Sequence, residues 1–247
     1  MSLNVVMLGP PGAGKGTQAE RFARIRGIPR VSTGDILREA VSADSDLGQR
    51  VKSIMDRGEL VSDEVMTEIV RERLNKVDAR AGFILDGFPR TVGQAEALDR
   101  MMAERGPLLV IDIVVPEAEL VRRLGARMIC ASCGANAGDA IEPAGAGADP
   151  MVRRGVTGEA AHVVAAVVTQ TEPQCRRCGG ALVQRADDNQ DVVLERLKVY
   201  HCQSEPLVEY YRDRATFRQV NGAQTPDCVA TELAAAIDAA RRGGLER

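Results

Sequence analysis

Apolar positions along this chain fall into two alternating rhythms. Leu3–Leu8 is a largely apolar run closed by Gly9 and Pro10. Gly82–Asp86 (GFILD) and Leu108–Val114 (LLVIDIV) repeat the pattern. Such short apolar runs predict buried strands of a parallel sheet. Helical periodicity follows each run, at Gly14–Arg26, about Thr91–Glu104 and about Pro116–Met128. Phe217–Val220 predicts a short last strand, and the Ala-rich stretch Pro226–Arg241 predicts a closing helix. Strand then helix in this order predicts an α/β fold, a parallel sheet covered on both faces. Two stretches break the alternation. Residues 33–61 read as purely helical, and residues 130–185 hold four cysteines and a Gly/Ala-rich tract. Both are expected as insertions at the ligand-binding edge of the sheet. The expected division is a core of 1–32, 62–129 and 186–247, with insertions at 33–61 and 130–185.

Composition narrows the classes. With 247 residues, 45% of them hydrophobic, the chain can bury a full core. A net charge of −3 offers no global field for nucleic acid. Three Tyr, four Phe and no Trp make a poor stacking surface for single strands. No stretch approaches the roughly 20 apolar residues of a membrane span. The start, MSLNVVMLG, has no basic flank and no cleavage signal, so a cytoplasmic location without a membrane or nucleic-acid partner is expected. In that compartment paired cysteines suggest metal before disulfide. Among the basic residues only Lys15, Lys52, Lys76 and Lys198 are lysines; the rest are arginines, which bind phosphate through a planar fork.

The strongest motif is Gly9-Pro10-Pro11-Gly12-Ala13-Gly14-Lys15-Gly16-Thr17, which fits G-x-x-x-x-G-K between a strand and a helix. Its glycines let backbone N–H groups converge on phosphate oxygens, and the helix start adds partial positive charge. Lys15 reaches the β- and γ-phosphates of a nucleotide. The pattern departs from the common form in placing Gly16 before the hydroxyl residue Thr17. Asp86, at the end of a buried strand, is a natural carboxylate for Mg2+ held through water, or else a turn residue. Thr33 can cap the helix that begins there. Gln94 offers an amide that matches the donor and acceptor edge of adenine, or else lies inert on a helix surface. Arg123 and Arg127, four residues apart, are expected on one helix face.

Four ordered segments, GPPGAGKGT, Ser32-Thr33-Gly34-Asp35 with Arg38, Asp86-Gly87-Phe88-Pro89-Arg90 with Gln94, and Arg185-Ala186-Asp187-Asp188-Asn189, resemble the adenylate kinase family. The resemblance covers the chain except about residues 134–174. It implies a P-loop NTPase-like sheet, a helical AMP-binding insertion at 33–61 and a metal-bearing lid at 130–185. It also implies Mg2+-dependent transfer between ATP and AMP to give ADP, by a monomer. Gly12 to Thr17 would hold ATP phosphate, and Gly222 would meet its adenine. Arg123 would cover the ATP base and Arg127 would grip ATP phosphate. Arg38 and Arg90 would clamp the AMP phosphate, with Thr33, Gly34, Gly87 and the backbone of Gly58, Glu59, Leu60 and Val61 nearby. Arg185 and Arg196 would contact the transferring group. Lys15, Asp86, Arg90, Arg127, Arg185 and Arg196 form the expected catalytic set. Asp187 and Asp188 would mark a lid hinge, and capping explains one of them without function.

Cys130-x-x-Cys133 and Cys175-x-x-Cys178 are two knuckles able to make a tetrahedral thiolate site. Structural zinc is expected, with free thiols or a disulfide as the alternative. The spacer between them is longer than such lids carry, and its stretch 159–168 is expected as a short apolar helix. The aromatic residue that similar lids carry after the first knuckle is absent. His162 is expected as a bystander, and Cys202, beside His201, and Cys228 as packed thiols.

Overall fold

A computed structural model describes residues 2–137, 174–185 and 188–243. The helix expected within 159–168, His162 and Asp187 lie outside the described residues. The chain divides into two compact units, Met1–Ala126 with Ala186–Arg247, and Arg127–Arg185.

The larger unit carries a five-stranded parallel sheet in the order β2-β3-β1-β4-β7. β1 (Leu3–Leu8) lies at its centre between β3 (Gly82–Asp86) and β4 (Leu108–Val114); β2 (Arg30–Ser32) and β7 (Phe217–Asn221) form the edges. β5 (Met128–Cys130) and β6 (Leu182–Gln184) belong to the smaller unit. Strand register puts Met7 beside Asp86 and Leu8 beside Asp112. The chain runs outward from β1 in both directions, so the end of β1 is the reversal point where open α/β sheets bind ligands.

Alternation along the strands feeds two cores. Val5, Met7, Ile84, Ile111 and Ile113 pack on one face against α1 (Lys15–Arg26), α6 (Glu117–Gly125), α7 (Gln190–Val199) and α9 (Pro226–Gly243). Val6, Leu8, Phe83, Leu85 and Val110 pack on the other face. There they meet α2 (Thr33–Ser42), α3 (Asp46–Asp56), α4 (Asp63–Leu74), α5 (Val92–Met102) and α8 (Pro206–Arg212). Both faces are apolar because both are covered, which is why these strands read as runs.

Three expectations change. Residues 33–61 are helical only as far as Asp56; Arg57 and Gly58 turn the chain, Gly58 at φ 74°. Ser32, not Thr33, caps α2: its hydroxyl accepts from the Asp35 N–H at 3.2 Å, while the Thr33 hydroxyl donates to Gly87 O at 2.9 Å. The helix expected to reach Met128 stops at Gly125. Beyond it Met128–Cys130 becomes β5, paired antiparallel with β6 (Leu182–Gln184). Arg123 and Arg127 therefore do not share a helix face. A partner strand more than fifty positions away decides that segment, which local periodicity cannot show.

Candidate active site

The loop after β1 is held close to the sheet. Gly9 has φ 130°, and a Cβ there would come within 2.6 Å of Ile113 O. Lys15 begins α1 and donates from Nζ to Gly9 O at 2.7 Å and Pro10 O at 2.8 Å, so its ammonium lies at the loop carbonyls. Thr17 follows in the first helical turn. Gly222 closes in from the segment after β7: its N–H donates to Val114 O, and a Cβ there would lie 3.3 Å from Ala13 O. Asp86 stands beside the loop, 3.3 Å from where a Gly16 Cβ would be. One Arg30 nitrogen contacts both Asp86 and Asp35 at 2.9 Å. Burial opposes ionisation of Asp35, but Arg30 and Arg38 outweigh it and hold its carboxyl below the usual range. Asp112, on β4 beside the edge strand β7, is different: burial raises it, against the Gln219 amide at 3.0 Å and the charge of Lys15.

A cleft opens on the α2–α3 side. Thr33, Gly34, Arg38, Glu59, Leu60, Val61, Gly87, Arg90, Gln94 and Arg196 all line it. Of the residues expected around AMP, Arg185 alone belongs to the smaller unit. Gly87, at φ 85°, has Thr33 Oγ1 only 2.8 Å from a Cβ position and an Arg90 nitrogen 3.2 Å away, so no other residue leaves room for both. The Arg90 Nε donates to Gly87 O at 2.9 Å. Arg38 pairs with Asp35 along α2. Arg196 donates to Asp188 at 3.0 Å, and the Asp188 side chain is fully buried. Asp188 is thus an anchor for Arg196 and not a cap; Asn189 caps α7 by accepting from Val192 N–H at 3.0 Å. Leu37, Met55 and Met66 add apolar walls that motif reading missed. Arg30 and Asp63 were missed as well. For Asp63 the signal was present: Thr91-x-x-Gln94 is a helix-start pair whose side chains seek polar partners. Arg123 stays on α6, where Glu119 accepts from it at 2.6 Å; Arg122 and then Arg123 pull that carboxyl down to about 2.

The smaller unit is built around sulfur. The Sγ atoms of Cys130, Cys133, Cys175 and Cys178 lie within 4.8 Å of one another. Cys130 and Cys178 are 3.4 Å apart, and Cys133 and Cys175 are 3.7 Å apart. Zn–S bonds of about 2.3 Å in a tetrahedron put sulfurs about 3.8 Å apart, so the cluster suits a metal ion of that size. The knuckles repeat one another. Gly134 N–H donates to Cys130 O, and Gly179 N–H to Cys175 O, with both glycines left-handed at φ 68° and 74°. The Cys133 N–H, then the Cys178 thiol and the Ser132 N–H, lower Cys130 to about 6. Gly180 N–H pulls Cys178 down, but the surrounding thiols outweigh it and hold it up at about 12. Four sulfurs this close cannot all ionise without a cation between them. Arg127 precedes β5, and Arg185 follows β6, donating to Asn136 Oδ1 at 3.3 Å. Cys202 and Cys228 are exposed, against the expectation of packed thiols; they stand on solvent-facing positions of Tyr200–Ser204 and α9.

Known proteins bear on this site. The sequence profile of the adenylate kinase family matches residues 7–216. This chain belongs to the adenylate kinase family. The adenylate kinase of Archaeoglobus fulgidus is 43% identical over 238 residues, covering 96% of this chain and 98% of the relative. Those of Thermodesulfovibrio yellowstonii and Magnetococcus marinus are each 41% identical, over 96% and 95% of this chain and 99% and 100% of theirs. The chain is therefore a nucleotide-binding phosphotransferase with adenylate kinase function. The parallel sheet and the loop after β1 agree with the P-loop NTPase-like fold. Among the described residues no helix is long and apolar enough to cross a membrane.

Proposed function

We propose that the chain performs adenylate kinase catalysis, ATP and AMP to two ADP, with the loop at 9–17 holding ATP and the α2–α3 cleft holding AMP. The observation that carries this is the cleft itself. It gathers three arginines, Arg38, Arg90 and Arg196, with a buried amide, Gln94, and apolar side chains that include Leu37, Met55 and Met66. Guanidinium forks suit the phosphate end of a mononucleotide, and the amide with apolar walls suits a base.

The chemistry asks little covalent work of the protein. An AMP phosphate oxygen attacks the γ-phosphorus of ATP, the bond from that phosphorus to the β-phosphate oxygen breaks, and ADP leaves. The attacking phosphate is already anionic, so no general base is needed. What must be overcome is repulsion between two polyanions, strongest where water is excluded. Loop N–H groups and Lys15 offset the charge of ATP; Arg38, Arg90 and Arg196 offset that of AMP and the transferring group. Asp188 holds Arg196 in place. Mg2+, carried with ATP, would supply further neutralisation, and Asp86 with Thr17 fits the one carboxylate and one hydroxyl such an ion takes besides water and phosphate. For Arg127 and Arg185 a phosphate role rests on resemblance alone. We assign the four cysteines to structural zinc, because every position is a protein ligand and none is left for water. A cytoplasmic monomer fits the adenylate kinase resemblance.

The test is ADP formation from ATP with AMP, GMP, CMP, UMP and dTMP in turn. AMP should be the preferred acceptor by a wide margin. Equal rates with several acceptors, or none with AMP, would overturn the assignment.

A further inference from the structure

Gln94 is buried, 1% exposed, yet lines the cleft. Both ends of its amide are engaged by protein groups of fixed polarity. Its Oε1 accepts from the Arg90 backbone N–H at 2.7 Å. Its Nε2 donates to Asp63 Oδ1 at 2.7 Å. The other Asp63 oxygen accepts from the Thr91 hydroxyl, also at 2.7 Å. A backbone N–H can only donate and an ionised carboxylate can only accept. The network therefore admits one orientation of the amide; rotated by 180°, it would set donor against donor and acceptor against acceptor.

One Nε2 hydrogen and one Oε1 lone pair are left over after these bonds. They form a donor and an acceptor side by side in fixed order. A 6-aminopurine presents a donor at its 6-position and an acceptor at N1. A 6-oxopurine presents the reverse. A freely turning amide pairs with either base, and a locked amide pairs with only one. From this geometry we infer that Asp63 is a specificity-determining positioning residue: it locks the Gln94 amide in the single orientation that accepts 6-aminopurine monophosphates and rejects 6-oxopurine ones. The inference rests on the proposed reading that Gln94 faces the acceptor base.

Asp63 lies at the first helical position of α4, next to Ser62, whose side chain makes no capping bond there. Its carboxylate instead spans to the start of α5, where Thr91 caps the helix by accepting from Gln94 N–H at 3.2 Å. A purely structural staple between α4 and α5 would use the same bonds. The two roles separate by readout. A staple supports every acceptor alike, whereas a lock changes the ratio between acceptors.

The experiment measures kcat/KM with AMP and with inosine monophosphate, which differs from AMP in the 6-oxo group and the proton on N1. It compares wild type, Asp63→Ala, Asp63→Asn and Gln94→Ala. In Asp63→Ala the AMP-to-IMP preference should fall by about tenfold or more, mainly through a higher KM for AMP and a lower one for IMP. Asp63→Asn keeps an accepting oxygen and should restore most of the preference. If Asp63→Ala fails to fold, Asp63→Ser, suited to a helix start but too short to reach Gln94, takes its place. A preference that survives in Asp63→Ala while both rates fall together overturns the lock and leaves the staple. An equal loss in Asp63→Ala and Asp63→Asn overturns it too, since charge and not acceptor polarity then matters. Gln94→Ala should abolish the preference. If it does not, the base-facing reading of Gln94 fails, and the lock fails with it. If Gln94→Ala abolishes the preference while Asp63→Ala preserves it, the lock alone fails.

Discussion

The two units hold their functional side chains by different means. In the larger unit Lys15, Arg38, Arg90 and Gln94 hang from elements pinned by two apolar cores, one on each face of the sheet. In the smaller unit the buried apolar positions among the described residues are Cys130, Ala137 and Cys175. Among the described residues nothing of core size stands behind its short ribbon. A unit that small needs a staple, and four sulfurs within 4.8 Å provide the place for one. Charged groups in the first unit can therefore change without unfolding it, whereas the second unit and the metal we assign to its sulfurs should stand or fall together.

The sharpest way to break this contrast is Lys15→Met. Lys15 Nζ donates to loop carbonyls at 2.7 and 2.8 Å, and Lys15 is part of neither apolar core. Transfer should fall by a factor of about 100 to 1,000 or more, with circular dichroism and melting little changed. Near-normal turnover would remove Lys15 from the reaction, and a large loss of stability would put charge into the fold of the core.

Metal removal comes next. The purified chain should contain about one zinc per molecule, by the tetrahedral four-cysteine rule. Chelation or Cys175→Ser should make the segment around 130–185 susceptible to proteolysis, while the main melting transition moves little. Loss of both units in a single transition would contradict the separation, and metal-free protein with an unchanged proteolytic pattern would remove the staple.

The smallest effect sharpens the electrostatic side of the core. Asp99 accepts from Arg214 at 2.6 and 2.8 Å and from the Tyr210 hydroxyl at 2.7 Å. Burial raises its carboxyl, but Arg214 and Tyr210 outweigh it and hold it below the ordinary 3.8. Its contribution is present above that pH and is lost as pH falls through the lowered folded value. The side chains are about 30% exposed, so screening keeps the effect near 1 kcal/mol. Asp99→Asn should lower Tm by about 2–4 °C at pH 7. The difference should shrink as pH drops below 3.8; a constant difference would show that the ion pair contributes nothing.

What the chain's letters revealed follows the range of the interactions. Strands β1, β3 and β4 were legible because burial on both faces makes continuous apolar runs, whereas the three-residue edge strand β2 carries no such run. The phosphate loop was legible because its glycines and Lys15 are contiguous. The cleft residues were legible through ordered segments, and the structure brings Arg38, Arg90, Gln94 and Arg196 to one place. Contacts across long separations were not. Arg30 to Asp86 and Asp63 to Gln94 link residues with no shared local pattern. Helical spacing ran on through Gly125, so Arg127 was placed on the wrong element; the pairing of Met128–Cys130 with Leu182–Gln184 decides that stretch. Asp187 and Asp188 read as a hinge pair with one of them a cap, and only the burial of Asp188 against Arg196 shows what Asp188 does. Exposed Cys202 and Cys228 read as packed because helix patterns do not show which side faces solvent when the pattern is weak.

The claim beneath all of this is that the core unit gathers two polyanionic nucleotides into adjoining sites made by backbone amides and arginines. Calorimetric titration with a molecule of two adenosines joined by five phosphates tests it most directly. Saturable binding at one molecule per chain, weakened by at least about tenfold in Arg90→Ala, is the expected result. No saturable binding by the intact chain, or binding indifferent to Arg90→Ala, would contradict it.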